Sequence, residues 1–252
     1  MTDAPQPLVH LDVADGVATV TLDSPHNRNA LSRQLVTELF ESIHKAGADD
    51  QARLVLLRSA DRVFCSGADL SEAAVTPFEE GTKAMVDLQR LLVTFDKPVV
   101  TRLDGPVRAG GIGIVAASDI VIAAESANFA LTEVKLGLAP AVISLTVHAR
   151  MNPRAAALTT LGGATFGGAE AAAYGLVTEA VPDDQVDARV AEVCAELATG
   201  AAQGLRESKR ILNRDLVARI DALGDEMAAT SARLFGSDEA RVAMMAWLSR
   251  KK

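Results

Sequence analysis

Cysteine is scarce in this chain. Only Cys65 and Cys194 occur among 252 residues. Two cysteines make no disulfide framework and point to a reducing compartment. Positive charge is also in short supply. Asp and Glu number 33 against 25 Lys and Arg, for a net charge of −8. That balance excludes a nucleic-acid partner and an anionic membrane surface as the expected ones. The four histidines, His10, His26, His44 and His148, have no metal-ligand spacing, so no metal site is expected. No apolar run is long enough for a membrane span, and the first seven residues carry neither an apolar signal region nor an Arg-rich amphipathic pattern. A cytoplasmic protein is expected. Internal repeats, low-complexity segments and Gly/Ser linkers are missing too.

What is present is the composition of a soluble globular protein, 49% hydrophobic and 23% charged. Residues 8–13 and 17–22 alternate with period two around Asp15-Gly16, a hairpin signal. Ser32 is placed to cap a helix carrying Leu35, Leu39 and Ile43. Residues 53–58, 99–103 and 119–124 read as buried strands, and 128–131 as extended. A loop is expected over 75–82, where Pro77 and Gly81 fall, and a helix over 82–94. Short helices are predicted over 143–150, 153–161 and 169–174, then a strand over 176–181 stopped by Pro182. From residue 183 the pattern is helical, with breaks at Gly200 and Gly204. Strands alternating with helices, then helices alone, predict an α/β body with a helical appendage.

The most unusual stretch is 103–119. It reads as a strand end, a turn with Gly105, and a helix of small and apolar residues. Gly110, Gly111 and Gly113 leave the first helical turn without side chains. Bare N–H groups there, backed by the helix dipole, suit an oxygen that carries negative charge.

Four segments then fall in a characteristic order: Ser24-Pro25-His26-Asn27-Arg28-Asn29-Ala30-Leu31, Phe64-Cys65-Ser66-Gly67-Ala68-Asp69-Leu70, residues 105–119, and Thr132-Glu133-Val134-Lys135-Leu136-Gly137. Through them, over about residues 8–250, the chain resembles the enoyl-CoA hydratase/isomerase (crotonase) superfamily. The run 133–144 is similar to its single-glutamate, methylglutaconyl-CoA-hydratase-like members. The resemblance implies a crotonase-like spiral of ββα units over residues 1–199, with a helical C-terminal trimerisation region over 200–252. It also implies a homotrimer or dimer of trimers acting on an acyl-CoA thioester. Coenzyme A is part of the substrate, and no separate cofactor is implied.

The resemblance assigns the oxyanion-binding N–H groups to Ala68 and Gly110 and the acid/base role to Glu133. Where many relatives carry a second glutamate, this chain has Gly113. A glycine transfers no proton, so Glu133 works alone through one water, or a substrate carboxylate or ordered water replaces the missing group, or the reaction needs a single base. Hydration of a 2-enoyl-CoA is the first expectation and Δ3,Δ2 isomerisation the second. An acyl-CoA-binding protein without catalysis is the third. A bland reading of Glu133 is a surface residue paired with Lys135.

For substrate binding, Ser66, Asp69 and Leu70 correspond to the turn that holds adenine, and Arg28 to the pantetheine and pyrophosphate entry. Gly111, read as close helix packing, and Gly113 and Pro140 complete the set. Arg108 has the geometry to pair with an acyl carboxylate, or is a solvated or intersubunit charge. Segments 71–82 and 139–148 are expected to shape the acyl pocket. Arg250, Lys251 and Lys252 reach a neighbour's phosphates or serve only the helix dipole. Asp119 reads as structural, Cys65 as no nucleophile for want of a histidine partner, and Phe235 and Trp247 as packing for the terminal helices, with Phe235 near the CoA entrance.

Overall fold

The computed structural model describes residues 6–69, 71–72 and 78–249. The expectations placed on Leu70, on Pro77 with the rest of 73–77, on the side chain of Trp247, and on Arg250, Lys251 and Lys252 lie outside the described residues.

β1 (Val9–Ala14) and β2 (Val17–Leu22) form the expected antiparallel hairpin. Asp15 and Gly16 both take positive φ, +50° and +81°. A turn of that kind matches the natural twist of two strands. α1 (Arg33–Ala48) starts at Ser32, whose Oγ accepts the Leu35 N–H at 3.2 Å. Leu35, Leu39 and Ile43 run along its buried side.

β3 (Leu54–Ser59) leads to α2 (Phe78–Thr94). The helix starts four residues before the expected 82. Glu79 and Glu80 suit the positive end of its dipole, and Gly81 lies in open space and interrupts nothing. β4 (Val99–Leu103), β5 (Val107–Arg108) and α3 (Gly110–Ala117) follow, then β6 (Ile120–Ala124) and β7 (Asn128–Ala130). A 3-10 turn over Glu133–Leu136 precedes α4 (Ala141–Arg150) and α5 (Pro153–Gly162). β8 (Phe166–Gly167), α6 (Gly168–Ala173) and β9 (Glu179–Val181) close the body.

β9 is shorter than the predicted strand over 176–181. Thr178 already faces β6, but its Oγ1 accepts the Val121 N–H at 3.0 Å in place of a backbone carbonyl. A side-chain bond there leaves the ladder one rung short.

The larger sheet has the order β1-β2-β3-β4-β6-β9, parallel except for the first hairpin. A smaller sheet has the order β5-β7-β8, and Cys65 bridges to Val107 at its side. Each turn of the chain therefore gives one strand to the large sheet, one extended piece to the small sheet, and a helix. This is the expected spiral of ββα units. The turns after the small-sheet pieces fall next to one another, and the candidate site lies there.

α7 (Val186–Ala198), α8 (Ala202–Leu212), α9 (Arg214–Phe235) and α10 (Asp238–Ser249) make the helical C-terminal part. Gly200 separates α7 from α8 as expected, whereas Gly204 lies within α8, exposed. α9 packs on α2 and α4 and puts Leu216 and Ile220 into the main core. Its start is anchored by buried polar groups. Lys209 Nζ lies 2.7 Å from Asp119 Oδ2 and also donates to the carbonyls of Leu92 and Lys97. Asn213 Nδ2 donates to Asp119 Oδ1 at 3.1 Å, and Asp119 accepts the Val99 N–H at 2.8 Å. Asp119 is thus a junction between two strand starts and the terminal helices.

Candidate active site

A cavity of about 1030 Å³ opens where the turn after β3, the turn after β5 and the 3-10 turn converge under α2, α4 and α9. The first turn is fixed from both sides. Leu31 N–H donates to Gly67 O at 2.8 Å, Arg108 N–H to Cys65 O at 2.9 Å, and Ser66 N–H to Arg28 O at 3.1 Å. Gly67 has φ +101°, which turns the chain just before Ala68. In the second turn Ala109 has φ +46° and ψ −119°, just before Gly110 starts α3. A residue with a Cβ seldom adopts that conformation, and such strain persists where surrounding structure imposes it. Both unusual residues precede an N–H that has no acceptor among the described residues: those of Ala68 and Gly110.

A larger residue at Gly110 would displace the Leu31 side chain. A Cβ there would lie 2.6 Å from Leu31 Cδ1. Cys65 lies behind the first turn, fully buried, and burial pushes its thiol up to about 12. It is inert, as expected.

Glu133 heads the 3-10 turn and is buried, with Oε2 lacking any hydrogen-bond partner among the described residues. Burial raises its pKa to about 7, against a small opposing pull from its own backbone N–H. Its carbonyl accepts the Leu138 N–H at 3.0 Å. Gly137, at φ +69°, lets the backbone of Ala240 on α10 approach to where a Cβ would be 3.2 Å away. No ion pair to Glu133 occurs among the described residues, and Lys135 is exposed, so the surface-pair reading does not hold. Half-ionised near neutrality and free at Oε2, Glu133 can both take and return a proton.

Of the residues singled out from sequence, Arg28, Ser66, Ala68, Arg108, Gly110, Glu133 and Pro140 line this one cavity. Asp69, Gly111 and Gly113 do not. The Asp69 carboxyl accepts from Asn27 Nδ2 at 2.9 Å and from Ser71 Oγ at 2.6 Å. Partial burial works against its ionisation, but the bonds from Ser71 and Asn27 prevail and hold its pKa low. Gly111 is buried, and a Cβ there would lie 2.6 Å from Cys65 Cβ, which makes it a packing residue. At Gly113 a Cβ would lie 2.5 Å from Ile143 Cγ2 and 3.3 Å from Gln89 Oε1. The place of a second carboxylate is filled by Ile143, and Gly113 is a contact between helices.

Arg108 lines the cavity with part of its guanidinium engaged. Nη1 donates to the carbonyls of Val107 and Asn128, and Nη2 to Asn128 Oδ1 at 2.5 Å. Phe235 lines the cavity and stacks on Phe78 with ring centroids 5.0 Å apart. Segment 139–143 and residues 80–82 also line it. Sequence reasoning missed the apolar walls Leu31 and Met85, which look like ordinary core residues. It also missed Ala109, whose residue type conceals its backbone angle.

Known proteins resemble the chain throughout. The family model described as enoyl-CoA hydratase/isomerase matches residues 12–252. A crystal structure of an enoyl-CoA hydratase from Mycobacterium avium superposes with a TM-score of 0.91 at 40% identity, covering 98% of each chain. The 1,2-epoxyphenylacetyl-CoA isomerase of Escherichia coli is 30% identical over 209 residues, 80% of each chain. The hydroxycinnamoyl-CoA hydratase-lyase of Pseudomonas fluorescens is 30% identical over 200 residues, 75% of this chain and 71% of that one.

Proposed function

Because this chain belongs to the enoyl-CoA hydratase/isomerase family, we propose that it is a hydro-lyase that adds water across the double bond of a 2-enoyl-CoA thioester. The observation that carries this reading is the pairing of two unclaimed N–H groups, of Ala68 and Gly110, with the buried, unpartnered carboxyl of Glu133 in one cavity.

The thioester oxygen accepts from both N–H groups. Glu133, as carboxylate, takes a proton from water while the hydroxide adds to the β-carbon. The electron pair of the double bond moves onto the thioester oxygen as an enolate. One preorganised donor at such an oxygen is worth roughly 2.7–4 kcal/mol. The Glu133 carboxyl then gives its proton to the α-carbon, and the carboxylate is restored. One water has been added and nothing else is consumed.

A second reading is Δ3,Δ2 isomerisation, favoured by Ile143 standing where a second carboxylate would be. There Glu133 takes a proton from the α-carbon of a 3-enoyl-CoA and returns it at the γ-carbon. Crotonyl-CoA and 3-hexenoyl-CoA, followed separately at the enoyl-thioester absorbance, decide between them. Loss of absorbance with crotonyl-CoA supports hydration. A gain with 3-hexenoyl-CoA and no loss with crotonyl-CoA replaces hydration by isomerisation. Binding without either change supports the non-catalytic alternative.

The same reading takes the protein as cytoplasmic. It also has residues 200–252 associate copies into a trimer or a dimer of trimers. Ile211, Leu212, Val242 and Met245 in that region are more than half exposed, which supports association. No helix among the described residues is long and apolar enough to cross a membrane. Light scattering on the purified protein measures the assembly.

A further inference from the structure

We infer that Gln89 is a positioning residue that sets the width of the cavity between α2 and α4, because its one amide clamps the walls that both helices present there. The inference rests on the acyl-CoA reading above and names a residue that decides which acyl groups the same site takes.

Gln89 lies in α2, is wholly buried, and stands behind the cavity wall rather than in it. A buried amide is stable only when its donors and its acceptor are met. Nε2 donates to Met85 O at 3.0 Å and to Val142 O at 3.1 Å. Carbonyls only accept, so these two contacts fix which way round the amide stands. Oε1 accepts from Thr146 Oγ1 at 2.6 Å, and that hydroxyl also lies 3.3 Å from Gly113 O. One side chain thus joins α2, α3 and α4.

The two residues whose carbonyls share the amide, Met85 and Val142, both line the cavity, one from α2 and one from α4. Met85 Sδ lies 3.7 Å from where a Cβ on Gly110 would be. This wall therefore starts beside the N–H proposed for the thioester oxygen, and the acyl carbons next to that oxygen must pass it. Further along α3, Gly113 has no side chain to hold α4 off, and Ile143 Cγ2 comes to 2.5 Å from its Cβ position. Apolar contacts are non-directional, whereas a buried hydrogen bond fixes both distance and direction. The Gln89 amide is the group that fixes how far α4 stands from α2 at this level.

Gln89→Leu alone strands the Thr146 hydroxyl and is expected to lower the melting temperature. Gln89→Leu together with Thr146→Val removes both polar partners at similar shape, which restores stability without restoring the clamp. Butyryl-CoA and cyclohexanecarbonyl-CoA carry a narrow and a wide acyl group on the same CoA. Both are saturated, so calorimetric titration reads binding without turnover. In the folded double variant the ratio of the two dissociation constants is expected to shift by about tenfold in favour of the wide ester, the scale of one methylene in an apolar pocket. Thr146→Val alone keeps both Nε2 bonds and is expected to keep the wild-type ratio. An unchanged ratio in the double variant, or the same shift with Thr146→Val alone, overturns the inference and leaves the acyl-CoA reading intact. If the wild type binds neither ester, the acyl-CoA reading fails and the inference falls with it.

Discussion

Gly67 and Ala109 face each other across the site: a Cβ on Gly67 would lie 3.2 Å from the Cβ of Ala109, and both residues hold positive φ. Each orients the peptide that carries the next residue's N–H, of Ala68 in one turn and Gly110 in the other. The two donors are thus set as a pair, with the turns braced against one another. Gly67→Ala adds strain at φ +101° and presses on Ala109 together. It is expected to lower kcat about 10²-fold, the scale of losing one oxyanion donor. Ala109→Gly removes strain and is expected to keep kcat within about threefold, a small fraction of that same donor energy. Steady-state kinetics with crotonyl-CoA check both.

Glu133→Gln is expected to lower turnover by about 10²-fold or more, as removal of a general acid/base does. In the wild type, hydration and dehydration both start from the Glu133 carboxylate, which is restored at the end of either direction. With the pKa raised to about 7 by burial, kcat/KM for hydration falls as pH drops below 7. The same constant for dehydration of the 3-hydroxyacyl-CoA falls in parallel as pH drops below 7. Profiles in which both limbs lie near pH 4.5 would show that Glu133 is not the titrating group.

The same burial makes Glu133 a stability determinant. Its folded pKa of about 7 lies above the ordinary 4.5. Between these values the folded protein holds a proton that the unfolded chain has released, so stability falls as pH rises from about 4.5 to 7 and then levels off. Glu133→Gln lacks that loss. At pH 8 the variant is expected to be more stable than wild type by on the order of 2–3 kcal/mol. The gap should shrink toward zero at pH 5. Urea denaturation at the two pH values measures it.

Restoring a second glutamate by Gly113→Glu is expected to fail. The new side chain meets Ile143 at 2.5 Å from its first carbon, and overpacking of this kind costs roughly 1–3 kcal/mol. Gly113→Glu should lower the melting temperature without raising kcat, and adding Ile143→Ala should recover part of the stability. Thermal melts of the single and double variants test the clash.

Lys209→Met leaves Asp119 without its cation at a side chain that is 18% exposed. Loss of one partner from such a pair costs about 3–5 kcal/mol. The variant should melt much lower than wild type, while Lys45→Met, at an exposed pair with Glu41, should change stability by less than about 1 kcal/mol.

Much of this was legible from residue order, for physical reasons. The Asp15-Gly16 hairpin, the Ser32 cap and the continuous strands state their structure locally, through backbone preference and period. The site was legible where its parts are backbone N–H groups in glycine-bearing turns. What was hidden depends on contacts distant in sequence. Ile143 over Gly113, Asn128 holding Arg108 and Thr178 replacing a β-rung all join residues 20 to 57 positions apart. Arg108 illustrates the difference: its chemistry suggested a carboxylate clamp, and only the structure shows that Val107 and Asn128 engage three of its N–H groups. At Glu133 residue order does not tell which side of the chain is covered; the 3-10 turn buries it while leaving Val134 and Lys135 outside.

α9 is a rod of 22 residues, about 33 Å long, that reaches from the Asp119 junction near Asn213 to Phe235 at the cavity. It works as a ruler. Its root is fixed by hydrogen bonds at the strand starts, so the number of residues along it decides where the Phe235 ring arrives. Deleting one residue in its exposed middle would draw the tip back by about 1.5 Å and swing that ring by about 100° around the axis. The cavity wall at Phe235 would then change shape although none of its own residues had been altered.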